Sequence, residues 1–219
     1  MGESALQVIQ QQVEQQGEIP VDLKLDYKVL PSSLSGNLPI NNKISGELAG
    51  MPVDIEMGYT LIYGPHGSYP VNNSLSGTIG DSLVEANLPY KIVFASIAGN
   101  IPVNTGVEWT CEGRRESLET SYALVPAFAR SGGGGSGGSK GGGLKLEIKY
   151  VRGVPTEVET MGGGSGPPCE AGRPLIQSLL GRVNGLEVDC RFQYTYYINA
   201  SSGRNPVNTR LVGVIRKVI

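Results

Sequence analysis

Three stretches of the chain share one pattern of apolar and polar positions. In IPVDLKLDY (19–27), Val21, Leu23, Leu25 and Tyr27 alternate with polar residues. In MPVDIEMGY (51–59) the apolar phase is Val53, Ile55, Met57 and Tyr59, and in LEVDCRFQY (186–194) it is Val188, Cys190, Phe192 and Tyr194. Successive side chains of a strand point to opposite faces, so each stretch has one dry face and one wet face, as in a half-buried antiparallel sheet. LKLEIKYV (144–151) alternates in the same way, and NTRLVGVIRKVI (208–219) reads as the last strand.

A second phrase runs through the chain as LPINNKISG (38–46), YPVNNSLSG (69–77), IPVNTGVEW (101–109) and NPVNTRLVG (205–213). Proline donates nothing to a ladder, so each copy marks the start of a strand or a sheet edge, and the asparagine after it suits a bulge or turn. The interval of roughly 30 residues is less regular than that of a solenoid, and fits duplicated hairpins or convergent strand-start chemistry. Ala49-Gly50 reads as a hairpin loop, with Gly80-Asp81 and Asn87 as further turns.

Two segments show helical spacing. From Ser4 to Gln16, Leu6, Ile9 and Val13 lie on one side, Ser4 and Gln7 form a capping box, and Gly17 is the stop. In RPLIQSLLGRVNG (173–185), Pro174 suits the first helical position, Leu175, Leu179 and Val183 share a side, and Asn184-Gly185 closes the element. The pattern as a whole predicts a mainly β fold, an antiparallel β-sandwich or barrel of about 8–11 strands, with short helices at 4–16 and 174–183.

Gly makes up 32 of 219 residues, about twice the usual share of roughly 7%. SGGGGSGGSKGGG (131–143) is a linker by composition, regular enough to read as an engineered joint, and GGGSGPP (162–168) is a second flexible loop. The linker separates a β-rich part with an N-terminal helix, 1–130, from a second part, 144–219. The second part holds too few elements for an independent fold and is expected to complete the first. Charge divides along the same line, with 7 Lys+Arg against 14 Asp+Glu in 1–130 and 11 against 6 in 131–219. Opposite signs favour attraction between the two parts.

Little in the chain suggests chemistry. His66, between Pro65 and Gly67, is the only histidine and reads as a turn residue, which leaves Cys169–His66 as the one conceivable nucleophile–base pair. Asp22, Asp26, Asp54, Glu56 and Asp189 occupy the polar phase of strands and read as solvated faces. The linker matches a glycine-rich phosphate loop trivially, without a strand–turn–helix context, and Lys140 is followed by Gly141 rather than Ser or Thr. Cys111 and Cys190 fall on apolar phases as small hydrophobes, and Cys169 lies in a loop. Three free thiols are expected, with Cys111–Cys190, or a bond involving Cys169, as the disulfide alternatives. No CxxC spacing occurs, so no zinc site is expected, and neither a cofactor nor an enzymatic activity.

The C-terminal part sets Arg191, Arg204, Arg210, Arg216 and Lys217 beside Tyr194, Tyr196 and Tyr197, a composition able to meet nucleic acid. However, Tyr194 and Tyr196 share a phase with Phe192. Arg210 and Arg216 share one with Val212 and Val214, which points to a protein interface at Arg210, Val212, Val214 and Arg216. No apolar run reaches 18 residues, so no membrane helix is expected, and the N-terminus lacks the pattern of a secretory signal, which makes the cytoplasm the default. A membrane β-barrel shows similar alternation, but short turns and the linker rank it third. The sequons Asn72-Asn73-Ser74 and Asn199-Ala200-Ser201 matter only in a secreted protein.

These readings lead to a non-enzymatic structural or protein-interaction module, a subunit of a larger assembly, with a protein partner or its own copies. The alternative is a β-barrel carrier of an apolar ligand such as a lipid.

Overall fold

A computed structural model describes residues 4–31, 37–64, 67–95, 99–111, 113–126, 145–151, 154–161, 172–199 and 203–218. The linker 131–143, the loop 162–168, His66, Cys169 and part of the second sequon lie outside the described residues.

One helix, α1 (Ala5–Gln16), precedes the strands. β1 (Glu18–Leu30) and β2 (Leu38–Leu48) form the first hairpin, β3 (Met51–Gly64) and β4 (Gly67–Ile79) the second. In the third, β5 (Ser82–Asn87) leads into β6 (Tyr90–Ala95), which pairs with β7 (Gly99–Asn104) before β8 (Gly106–Cys111). After β9 (Arg114–Pro126) come β10 (Lys145–Val151) and β11 (Val154–Met161), an antiparallel pair within a separate unit spanning 131–170. β12 (Gly172–Val183) then pairs with β9 as the fourth hairpin, and β13 (Leu186–Asn199) with β14 (Gly203–Lys217) as the fifth.

Ten strands close into an antiparallel barrel in the order β1-β14-β13-β12-β9-β8-β5-β4-β3-β2. Strands β12, β13 and β14 stand between β9 and β1, so the barrel closes only with residues from both sides of the glycine-rich tract.

One end of the barrel carries tight turns. Ala49-Gly50 (φ 52° and 72°) and Asn184-Gly185 (φ 48° and 78°) adopt the left-handed conformation at both central positions, whose twist matches that of the flanking strands. Helix α1 covers this end. The Ser4–Gln7 capping box forms as expected, and Gly17 (φ 84°) ends the helix while donating its N–H to Val13 O at 2.8 Å. Gln12 Nε2 donates to Ala49 O at 3.0 Å, and the Ala5 N–H to Ser82 Oγ at 2.7 Å, tying the helix to two of the turns.

Its buried face, Ala5, Ile9 and Val13, drops into the barrel. Ile9 and Val13 join one cluster with Ile19, Val21, Leu23, Leu25, Leu48, Val53, Ile55, Leu186, Val188, Cys190, Leu211 and Ile215. Burial of these side chains is the main favourable term, since an isolated 12-residue helix is marginal in water.

The second helix expected from sequence, at 174–183, is strand β12. Leu175, Leu179 and Val183 are spaced by four, a spacing that puts residues on one side of a helix and equally on one face of a strand. An extra residue at Gln177, where the register against β9 shifts between Ile176 and Ser178, hides the alternation. Strands on both sides, β9 and β13, take up its backbone groups, and this pairing overrides the local helical signal.

Candidate functional site

The outer side of β14 presents Arg210, Val212, Val214 and Arg216, while Leu211 and Ile215 point into the core. Register places Leu180, Asp189, Val214 and Pro20 in one row across β12, β13, β14 and β1, with Ser178, Arg191, Val212 and Asp22 in the next. The centre of this face, Val212, Val214 and Pro20, is therefore apolar, with the valines half-buried and Pro20 exposed, while Asp189 separates it from Leu180, which is 41% exposed.

Ion pairs border that centre. Arg210 grips Asp22 bidentately, Nε to Oδ1 and Nη2 to Oδ2 at 2.5 Å each, and Arg216 Nε donates to Glu187 Oε2 at 2.8 Å. The Arg216 hydrogen bond and charge hold Glu187 below the ordinary carboxylate range, and the carboxylates raise both guanidiniums. Both arginines of the sequence-expected interface are thus paired within the chain, Arg210 with the acidic N-terminal part.

At the end away from α1 the hairpins part company. Pairing between adjacent hairpins stops at Lys24↔Arg210, Lys43↔Glu56, Ser74↔Asn87, Gly106↔Glu119 and Ser178↔Arg191. One residue further, the Leu88 N–H still donates to Asn73 O and the Thr120 N–H to Thr105 O, at 3.0 Å each, and beyond that level each hairpin pairs with itself, as an arm. Register shifts mark the transition at Asp26/Tyr27, Gly58/Tyr59, Ile176/Ser178 and Gln193/Tyr194, and in the third hairpin Thr105 separates β7 from β8.

A closed circle of hydrogen bonds binds the five arms together at this level. Asn41 Nδ2 donates to Asn208 O (2.7 Å), and Asn208 Nδ2 to Ile176 O (3.0 Å). Thr120 Oγ1 donates to Asn104 O (2.8 Å), Asn104 Nδ2 to Asn72 O (2.7 Å), and Asn72 Nδ2 to Asn41 O (2.8 Å). All four asparagines are buried. Each hairpin donates to the one before it, and the fourth, which has Ile176 in place of asparagine, uses Thr120 instead. The P-x-N phrase is thus the lock that joins the arms where the sheet no longer does.

Across each hairpin from this position stands an aromatic: Tyr27↔Asn41, Tyr59↔Asn72, Tyr90↔Asn104, Tyr122↔Ile176 and Tyr194↔Asn208. Five tyrosines therefore lie at one level. Lys28 Nζ sits 4.4 Å from the centroid of the Tyr59 ring and Lys91 Nζ 4.9 Å from that of Tyr122, linking the first arm to the second and the third to the fourth. The five proline segments surround a cavity of about 120 Å³, well below the roughly 300–1,000 Å³ of a typical ligand site.

The arms also carry most of the large exposed hydrophobic side chains among the described residues. Of the ten large hydrophobic side chains exposed among the described residues, Tyr27, Leu61, Tyr63, Tyr90, Ile92, Leu124, Tyr194 and Ile198 lie on them, at least one on every arm.

A third feature is a cleft of about 530 Å³ where β5 and β8 meet through a single residue pair, Asn87↔Glu108. Leu75, Ala86 and Trp109 line it together with Ser74, Ser76, Glu85 and an Arg115–Glu108 ion pair. Among the described residues no cluster of His, Cys, Asp and Glu is placed to hold a metal ion.

Cys111 and Cys190 are both free, so the Cys111–Cys190 disulfide is not formed. Burial, reinforced by Asp189, pushes the Cys190 thiol up to about 11. Asp26 and Asp54 pair with Lys24 (2.7 Å) and Lys43 (2.8 Å). Sequence reasoning passed over Asn41, Asn72, Asn104 and Asn208 as ring donors, although the repeated phrase containing them was visible.

No known protein family, characterised protein or solved structure matches this chain.

Proposed function

We propose that the protein is a non-enzymatic structural and interaction module, a subunit that assembles with further copies of itself. The observation that carries this reading is the outer face of β12, β13, β14 and β1. Its apolar centre of Val212, Val214 and Pro20 is bordered by residues of both signs, Asp22, Asp189, Arg191 and Arg210 among them, the layout of an interface core and rim. A patch with both signs around an apolar centre can complement itself about a two-fold axis. The filled interior beneath α1 supports a scaffold role.

Sedimentation velocity over a concentration series is the test. The native chain should sediment as a concentration-dependent oligomer, and Val214→Lys, which places a charge at the centre of the face, as a monomer with unchanged melting. A native chain that stays monomeric at every concentration overturns the reading.

A second reading, a carrier of an apolar ligand such as a lipid, would use the cleft between β5 and β8, whose volume is that of a small-molecule site and where Leu75, Ala86 and Trp109 supply apolar contacts among seven polar residues. Lipid in the organic extract of the purified protein is its test.

A further inference from the structure

We propose that the five arms form a docking surface for an anionic lipid bilayer. The sequence alone set a membrane aside as partner; the fold collects onto one end what the sequence scatters. The described residues of the arms, 27–31 with 37–41, 59–64 with 67–72, 88–95 with 99–104, 121–126 with 172–176, and 194–199 with 203–208, contain no Asp or Glu, and the 131–170 unit inserted in the fourth arm is balanced, with four residues of each sign. The arms carry Lys28, Lys91 and Arg204, all exposed, and Arg173, which is largely buried, while the carboxylates of the barrel strands all lie on the other side of the asparagine circle.

Three observations narrow the occupant. The charge of the arms calls for an anionic surface. Their most exposed apolar side chains, Tyr63 (80%), Ile198 (69%) and Leu124 (51%), are aromatic and aliphatic, and gain by leaving water for hydrocarbon. Four cations are few for a phosphate polymer, whose affinity grows with each phosphate neutralised.

The tyrosines opposite the asparagine circle stand at the boundary between the carboxylate-free arms and the acidic barrel wall. Tyrosine, with an apolar body and a polar tip, is at home at the level of lipid headgroups. Five separate arms around one axis offer points rather than one continuous sheet, and a fluid bilayer accepts points without matching relief. Among the described residues no helix is long and apolar enough to cross a membrane, and the contact proposed here is made by the hairpin arms.

The test is flotation of the full chain with vesicles of pure phosphatidylcholine and of phosphatidylcholine containing phosphatidylglycerol. The expected result is flotation with the anionic vesicles, weakened by salt, and little with the neutral ones. Lys28→Ala and Arg204→Ala should each lower partitioning about fivefold. Tyr63→Ser combined with Ile198→Ser should lower it further, with far-UV circular dichroism and melting retained in each variant. Absence of flotation, or equal flotation on neutral and anionic vesicles, overturns the proposal. So does binding to heparin, or to further copies of the chain, that depends on Lys28 and Arg204 while vesicles are ignored. Val214→Lys separates this surface from the assembly face: it should lose self-association and still float.

Discussion

Replacing Asn72 by alanine removes the donor that joins the second arm to the first. The side-chain amide, 6% exposed, donates to Asn41 O at 2.8 Å and to Gly58 O at 3.1 Å. Each hydrogen bond contributes about 1 kcal/mol net, and a buried carbonyl left without a donor costs about 1–3 kcal/mol, so a loss of about 2–4 kcal/mol is expected. For a chain of this size, 1 kcal/mol moves the melting midpoint by about 2–4 °C, which gives a drop of roughly 5–15 °C. Urea unfolding should show the same loss in midpoint with an unchanged slope. The neighbouring Asn73 supplies the control. It is exposed, and its Oδ1 accepts one long bond of 3.3 Å from Ser74 Oγ, so Asn73→Ala should change stability by less than about 0.5 kcal/mol. If Asn72→Ala melts with Asn73→Ala, the circle of side-chain bonds does not hold the arms together and the argument is wrong.

Two further outcomes concern Cys190. It is 1% exposed with its thiol pushed up to about 11, so it should resist alkylation in the native protein at pH 8 and react at once in urea, whereas the half-buried Cys111 should label in both. Its pKa is raised in the folded state, so its contribution to stability is fully present below the ordinary thiol value near 9 and is lost as pH rises towards 11. Alkaline titration of the native chain against Cys190→Ala, followed by ellipticity, should show the native chain losing more stability between those values. Equal losses would refute the assignment.

Much of the barrel was legible in the alternation of Val21, Leu23, Leu25 and of Val188, Cys190, because a half-buried strand writes its period of two directly into the chain. The N-terminal helix was legible through Ser4, Gln7 and Gly17, whose capping chemistry is local. β12 was not, because a spacing of four fits both helix and strand, and the bulge at Gln177 broke the one signal that separates them. The repeat was visible but not its number. Ile176 replaces the asparagine of the fourth copy, and the 131–170 unit separates that copy from the third, so the interval of the phrase along the chain is irregular. The role of the buried asparagines lay beyond sequence for a physical reason. Their partners, such as Asn208 O for Asn41, come from a different hairpin, and only closure of the barrel brings them within reach. The same holds for the carboxylate-free arms, whose segments are dispersed along the chain and share one end only after folding.

The central claim is that a single barrel closes through residues on both sides of the glycine-rich tract, with β12, β13 and β14 standing between β9 and β1. Expressing 1–130 and 144–219 as two chains tests it most directly. Alone, the first leaves β9 and β1 as open edges and the second leaves β12 and β14 so. The expected result is a 1:1 complex that co-purifies and melts in one cooperative transition, with neither chain folded alone. Two chains that fold independently and ignore each other would contradict the account.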